Sequence, residues 1–329
     1  MKAMRRRDFI AGFAGVATAW PLAVHAQRLP IVGLVSIGAS SSDPANFRPF
    51  LEQMRELGYV DGQNIVFDRR FAAGDDNLIG DFVDDLVRHQ VDVIVATGIR
   101  ETIAAKRATS SIPIVTVVHP DPVGMGLAQS LARPGGNLTG LTTMDIDIYG
   151  KRIEILKQAV PNLETAGVLI SERHPFYKRG SPWARNFETT ARSVGVKLAF
   201  VEADESTLDG TLATLAADGV RGLVITSDGV YVAHSKQIAE SAIKHRLAAI
   251  CPFRQQVQDG GLMAYAAKVA DLSRRAAFFV DRILKGEKPA NLPIEQPTEF
   301  ELIINLKTAK ALGLEISPAL LARADEVIE

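Results

Sequence analysis

Hydroxyls, glycines and single carboxylates stand directly at the ends of short apolar runs in this sequence. Ser36-Ile37-Gly38 closes the run 29–36 (LPIVGLVS), Thr97-Gly98 follows 91–96 (VDVIVA), and His119-Pro120-Asp121-Pro122 follows 113–118 (PIVTVV). In the second half, Ser171 follows 165–170 (TAGVLI) and Ser227-Asp228 ends 220–226 (VRGLVIT). These residue types bind more readily than they react. A hydroxyl and unencumbered N–H groups ahead of a helix suit a carboxylate or another anion. An isolated carboxylate suits an ammonium group, and Asp228 is the strongest single candidate for holding a positive group of a ligand. Each residue also has a plainer use: Ser, Thr and Asp cap helices, and Gly opens turns. Asp121, set between Pro120 and Pro122, could hold an ammonium or simply start a helix.

Signatures of catalysis are scarce. The chain has no Gly-x-x-x-x-Gly-Lys-Ser/Thr phosphate loop, no His-Glu-x-x-His and no Gly-x-Ser-x-Gly. His89, His119, His174, His234 and His245 are scattered, and the single cysteine, Cys251, sits in an apolar run and reads as inert core. No metal site and no cofactor are expected. An exported hydrolase or isomerase using Asp121 or Asp228 as base remains an alternative, without a nucleophile–base pair to support it.

The elements that position these loops alternate. Apolar runs of strand length at 29–36, 91–96 and 113–118 and an alternating, half-buried strand at 64–71 are separated by helical stripes such as Phe47, Phe50, Leu51, Met54 and Leu57. The rhythm restarts after residue 147, with strands expected at 165–170, 196–201, 220–226 and 247–251 and helices between them. Repeated β-α units give parallel sheets covered by helices on both faces, and ligands bind outside the carboxyl ends of such strands. Two runs of similar length predict an α/β protein of two doubly wound lobes. The tail differs: a strand at 262–266, a helix at 268–285, a proline-marked connector, and a strand at 300–305. The chain is expected to cross between lobes near 142–147, 260–266 and 287–298. The predicted division is 27–143 plus 263–292 for one lobe and 144–262 plus 293–329 for the other.

Composition excludes other classes. With 329 residues, 47% hydrophobic and 23% charged, the chain is neither disordered nor fibrous. Its 37 Lys and Arg balance 38 Asp and Glu, so no basic excess points to nucleic acid. Residues 1–26 read as an export signal: Arg5-Arg6-Arg7 precede an uncharged stretch of small and apolar residues ending at Val24-His25-Ala26. Arg-Arg-x-Phe-Ile resembles a twin-arginine signal, and an ordinary Sec signal with spare arginines is the alternative. Both predict a periplasmic protein cut near Ala26.

Longer motifs carry a resemblance. Tyr59-Val60-Asp61-Gly62-Gln63-Asn64-Ile65, Asp121-Pro122-Val123-Gly124, the run Ser130-Leu131-Ala132-Arg133-Pro134-Gly135-Gly136-Asn137-Leu138-Thr139-Gly140, Gly260-Gly261-Leu262-Met263 and the tail 321–329 (LARADEVIE) resemble ABC transporter substrate-binding proteins. The resemblance spans essentially the whole chain after the signal. It implies a type I periplasmic-binding fold, two lobes joined by a multi-strand hinge, and capture of a small solute for an ABC permease in the inner membrane. Some relatives bind aromatic amino acids, so the implied ligand is an amino acid, an aromatic one, or a related carboxylate. The family pattern implies carboxylate-binding loops after the first strands of lobe one and an acidic residue of lobe two at the amino group. Ser36, Ile37, Gly38, Thr97, Gly98, Asp121, Pro122, Ser171, Ser227 and Asp228 are the binding residues expected here. A monomer is expected, and a sensory subunit for a membrane receptor is the alternative role.

Overall fold

The structure is a computed structural model and describes residues 28–38, 47–143 and 145–329. The expected export signal lies outside the described residues. In chain order the first half runs β1 (Ile31–Ser36), α1 (Arg48–Glu56), β2 (Val66–Phe71), α2 (Leu78–Arg88), β3 (Val93–Ala96), α3 (Ile99–Ala108), β4 (Ile114–Thr116) and β5 (Leu138–Gly140). The second half runs α4 (Asp145–Ala159), β6 (Thr165–Ile170), α5 (Pro182–Ser193), β7 (Lys197–Glu202), α6 (Leu208–Ala217), β8 (Gly222–Ile225), α7 (Gly229–Ala233), α8 (Ser235–Lys244), β9 (Ala248–Cys251), α9 (Arg254–Gln258) and β10 (Met263–Ala267). The tail adds α10 (Val269–Leu284), β11 (Phe300–Asn305), α11 (Leu306–Leu312), α12 (Pro318–Leu321) and β12 (Glu326–Ile328).

Two sheets result. The first has the order β2-β1-β3-β4-β5 and the second β12-β11-β10-β9-β8-β6-β7. Every strand pair is parallel except β10–β11. The central strands are apolar along their whole length because helices cover both faces: β3 and β8 are buried at every residue. One face of the first sheet packs on α1 and α10 through Phe50, Met54, Ala276 and Val280. Its other face packs on α2 and α3 through Val83, Leu86 and Ala105. The second sheet is covered likewise, by α4 and α5 on one side and α6 and α8 on the other.

Helix boundaries follow local chemistry. Ser181 accepts a hydrogen bond from the Ala184 N–H ahead of Pro182, and Asn305 does the same for Thr308, so α5 and α11 are side-chain capped. The expected two-lobed α/β architecture is present. Two expectations shift. β10 pairs with β9 and β11 in the second sheet, so the chain crosses back at 267–269, between β10 and α10, not at 260–266. Residues after Asp121 form turns, not a helix, because Asp121 closes a tight turn onto Gly124. The other crossings run together: Leu141 bridges Glu295, and Thr142 N–H donates to the Glu295 carbonyl at 2.9 Å.

Candidate functional site

Both sheets repeat one strand order, in which the first strand of each half lies between the second and the third. Neighbouring loops therefore diverge to opposite faces at β1/β3 and again at β6/β8, leaving a crevice at each switch point. The two crevices face each other. Between them lies a cavity of about 450 Å³, within the size range of small-molecule sites. Ser36, Ile37, Gly38, Thr97, Gly98, Ser227 and Asp228 all line it. Ser171 stands just behind the wall, its Oγ accepting from Arg100 at 3.2 Å. Asp121 and Pro122 are not on the wall. The Asp121 carboxylate accepts the Gly124 N–H at 2.7 Å, and the Pro122 carbonyl accepts from Leu127 and Ala128; their neighbour Pro120 lines the cavity instead.

The cleft is spanned by ion pairs. Arg100, on the first turn of α3, reaches from the first lobe to Asp228 Oδ2 at 2.8 Å and also pairs with Asp76 of its own lobe. Arg173, after β6, reaches the other way to Asp76 and to Asn77 Oδ1. Asp228 Oδ1 accepts the Val230 N–H at 3.0 Å, so this residue caps α7 as well. The positive group that meets Asp228 is thus a guanidinium of the same chain.

Burial sets the protonation of the inner groups. Glu101 is 1% exposed; burial pushes its carboxyl up from the usual range, while the Ile37 N–H, the Thr97 hydroxyl and the Arg100 charge pull it down. Burial lowers His174 to about 4 and His119 to about 3. Each imidazole accepts main-chain N–H groups at Nδ1, from Tyr177 for His174 and from Asp121 for His119, so neutral rings carry the proton on Nε2. Burial pushes the Cys251 thiol up to about 12, which keeps it unreactive.

Sequence reasoning missed Arg100, Glu101 and the start of α10, where Lys268 to Asp271 close one side of the cavity. Position could have found the first two, because they lie two and three residues after Gly98 at the same strand end. The α10 wall could not be found that way, since it comes from a tail helix that returns to the first lobe. Among the aromatic residues near the loops, Phe253 lines the cavity. Phe47 stacks on Phe71 in the first core, and Tyr177 and Trp183 pack together in the second.

Comparison with known proteins agrees with this architecture. Residues 32–328 match the family described as ABC transporter substrate binding protein. The tyrosine-binding protein of Clostridioides difficile (strain R20291) is 25% identical over 277 residues, covering 81% of this chain and 76% of that protein. The ABC domain from Streptococcus pneumonia in complex with L-Trp has a TM-score of 0.81 at 22% identity, covering 91% of this chain and 100% of that one. The ligand-free, open structure of a substrate binding protein with adhesive properties from Clostridium difficile has a TM-score of 0.64 at 21% identity, covering 91% and 99%. Proteins of this kind bind small molecules and work with ABC permeases. The family match spans both sheets and every strand-end loop of the cleft, and the chain belongs to the ABC transporter substrate binding protein family.

Proposed function

We propose that this chain is the periplasmic receptor of an ABC importer and captures an amino acid, aromatic members included, by shutting its two lobes around it. The observation that carries the reading is the cavity itself, walled by strand-end loops of both sheets and bridged by Arg100. A ligand there touches both lobes at once. Only contacts made across the cleft favour the shut arrangement, so binding and closure are one equilibrium. Ser36, the Thr97-Gly98 loop and the N-terminal turn of α3, all on the cavity wall, suit a carboxylate. Phe253 and Val232 offer apolar surface to a side chain. The relatives that bind tyrosine and L-Trp support this ligand class. Among the described residues no helix is long and apolar enough to cross a membrane, and export rests on the arginine-bearing segment at 1–26.

Thermal-shift and calorimetric titration of the purified mature chain against the twenty amino acids, indole and phenyl carboxylic acids and simple sugars tests the reading. Ligand at about 100 times its Kd is expected to add about 2.7 kcal/mol of stability. A response to sugars alone, or to none of the set, overturns it.

A further inference from the structure

Four carboxylates border the cavity: Glu101, Asp228, Asp271 and Glu301. Three are accounted for. Asp228 gives one oxygen to the Val230 N–H and the other to Arg100. Both oxygens of Glu301 accept from Arg254. Asp271 has a side chain 57% exposed to solvent and lies 3.6 Å from Arg274. Glu101 differs. Its Oε1 accepts the Ile37 N–H at 2.7 Å and the Thr97 hydroxyl at 3.2 Å, while its Oε2 is buried with no hydrogen-bond partner among the described residues. The nearest guanidinium, that of Arg100, is already shared by Asp76 and Asp228. A buried carboxylate oxygen without a partner costs on the order of 1–3 kcal/mol, and more when charged.

Gly98 leaves room beside this buried oxygen. Its backbone, at φ −141° and ψ −176°, is ordinary extended chain open to any residue. A Cβ at this position would lie 2.7 Å from Glu101 Oε2. Gly98 is itself on the cavity wall, so what the glycine supplies here is room above the carboxylate.

We propose that Glu101, entered over Gly98, is the seat of the ligand's ammonium group. The inference rests on the amino-acid reading above and names the group that recognises the amine. The pinned Oε1 fixes the carboxylate plane, and the first-turn position on α3 favours its charge. A ligand ammonium supplies the counter-ion that the chain itself withholds. Asp228, neutralised by Arg100, then serves closure and not amine recognition.

The test pairs each amine with its deaminated twin. Wild type, Glu101→Gln and Gly98→Ala are titrated with L-tryptophan and 3-indolepropionic acid, and with L-tyrosine and 3-(4-hydroxyphenyl)propionic acid. Wild type is expected to prefer the amino acids by on the order of 100-fold. Glu101→Gln keeps the oxygen that holds Ile37 and replaces Oε2 by a donor; it should lose about that factor for the amino acids and stay within about threefold for the deaminated acids. Gly98→Ala retains the carboxylate and should show the same selective loss, which covers the case in which Glu101→Gln does not fold. Equal binding of amino and deaminated acids by wild type, or amino-acid binding unchanged in a folded variant, overturns the inference alone. Wild type binding neither amino acid overturns the amino-acid reading and this inference with it.

Discussion

The Arg100 guanidinium, carried by the first turn of α3, lies 2.8 Å from Asp228 Oδ2 at the start of α7, and the two side chains belong to opposite lobes. The Asp228 side chain is fully buried and that of Arg100 is 11% exposed. An opening of the cleft would hydrate both charges, so on the proposed closure the pair acts on the shut arrangement. A buried pair gains little over hydration when intact, but removing one partner leaves an uncompensated charge that costs several kcal/mol. Opening the cleft is the way a variant escapes that cost.

Asp228→Asn and Arg100→Gln are therefore expected to shift the protein toward the open form. Asparagine keeps the cap on the Val230 N–H, so the second lobe stays intact. The radius of gyration in small-angle scattering should rise, amino-acid affinity should fall by on the order of 10–100-fold, and a double-mutant cycle should give a coupling of about 1–3 kcal/mol. Arg173→Ala removes a partner with a side chain 62% exposed at the rim and should cost under about 1 kcal/mol. Equal effects of Arg100→Gln and Arg173→Ala would place closure elsewhere.

The frame was legible because buried parallel strands are short apolar runs, and helix stripes such as that of α1 stand out between them. β5 and β12, three residues each, are edge strands too short to carry a pattern, and α7 and α9 are single turns after strand ends. The positional rule of parallel sheets picked out the loops at 36–38, 97–98 and 227–228, which line the cavity. It could not find who pairs with whom. The Arg100–Asp228 contact joins residues 128 apart in sequence and forms only once both sheets exist and face each other. Asp121 looked like the other loop carboxylates in sequence; a local turn to Gly124 claims it instead.

Acid should destabilise the fold through its two buried histidines. Both have folded-state values, about 3 for His119 and about 4 for His174, below the ordinary 6.5. The unfolded chain therefore binds these protons first as pH falls. Their contribution is intact above pH 6.5 and is lost progressively as pH falls, down to about 4 for His174 and about 3 for His119. Between pH 6.5 and 5 each histidine is expected to cost about 2 kcal/mol. Urea unfolding across this range measures it. His119→Asn, which can keep an acceptor for the Asp121 N–H, should reduce the pH slope by up to one proton; an unchanged slope would show that His119 takes no part in acid sensitivity.

Export is testable apart from binding. Replacing Arg6-Arg7 by a lysine pair keeps the charge of the segment and removes the paired guanidinium groups that a twin-arginine route reads. The variant is expected to remain in the cytoplasm with its first 26 residues attached, as intact-mass measurement would show. Normal processing near Ala26 would assign the segment to the Sec route.

Closure should also be blocked by a single methyl group. Gly229, first residue of α7, meets the first lobe so closely that a Cβ there would lie 2.0 Å from Ile37 Cγ2. Its φ is not in the left-handed region, so the backbone itself accepts alanine, and alanine is the better helix former. With the lobes apart the methyl meets nothing from Ile37. Gly229→Ala is therefore expected to leave the unliganded melting temperature equal or slightly higher while weakening amino-acid binding by tenfold or more, because Ile37 must give way for the cleft to shut. Loss of affinity alone does not distinguish a propped cleft from a damaged binding loop, since Ile37 and Gly229 both line the cavity. Trimming the opposing side chain does: Gly229→Ala combined with Ile37→Ala removes the collision and should recover most of the lost affinity relative to Ile37→Ala alone. If the double variant binds no better than Gly229→Ala, the methyl acts on the ligand and not on the approach of the two lobes.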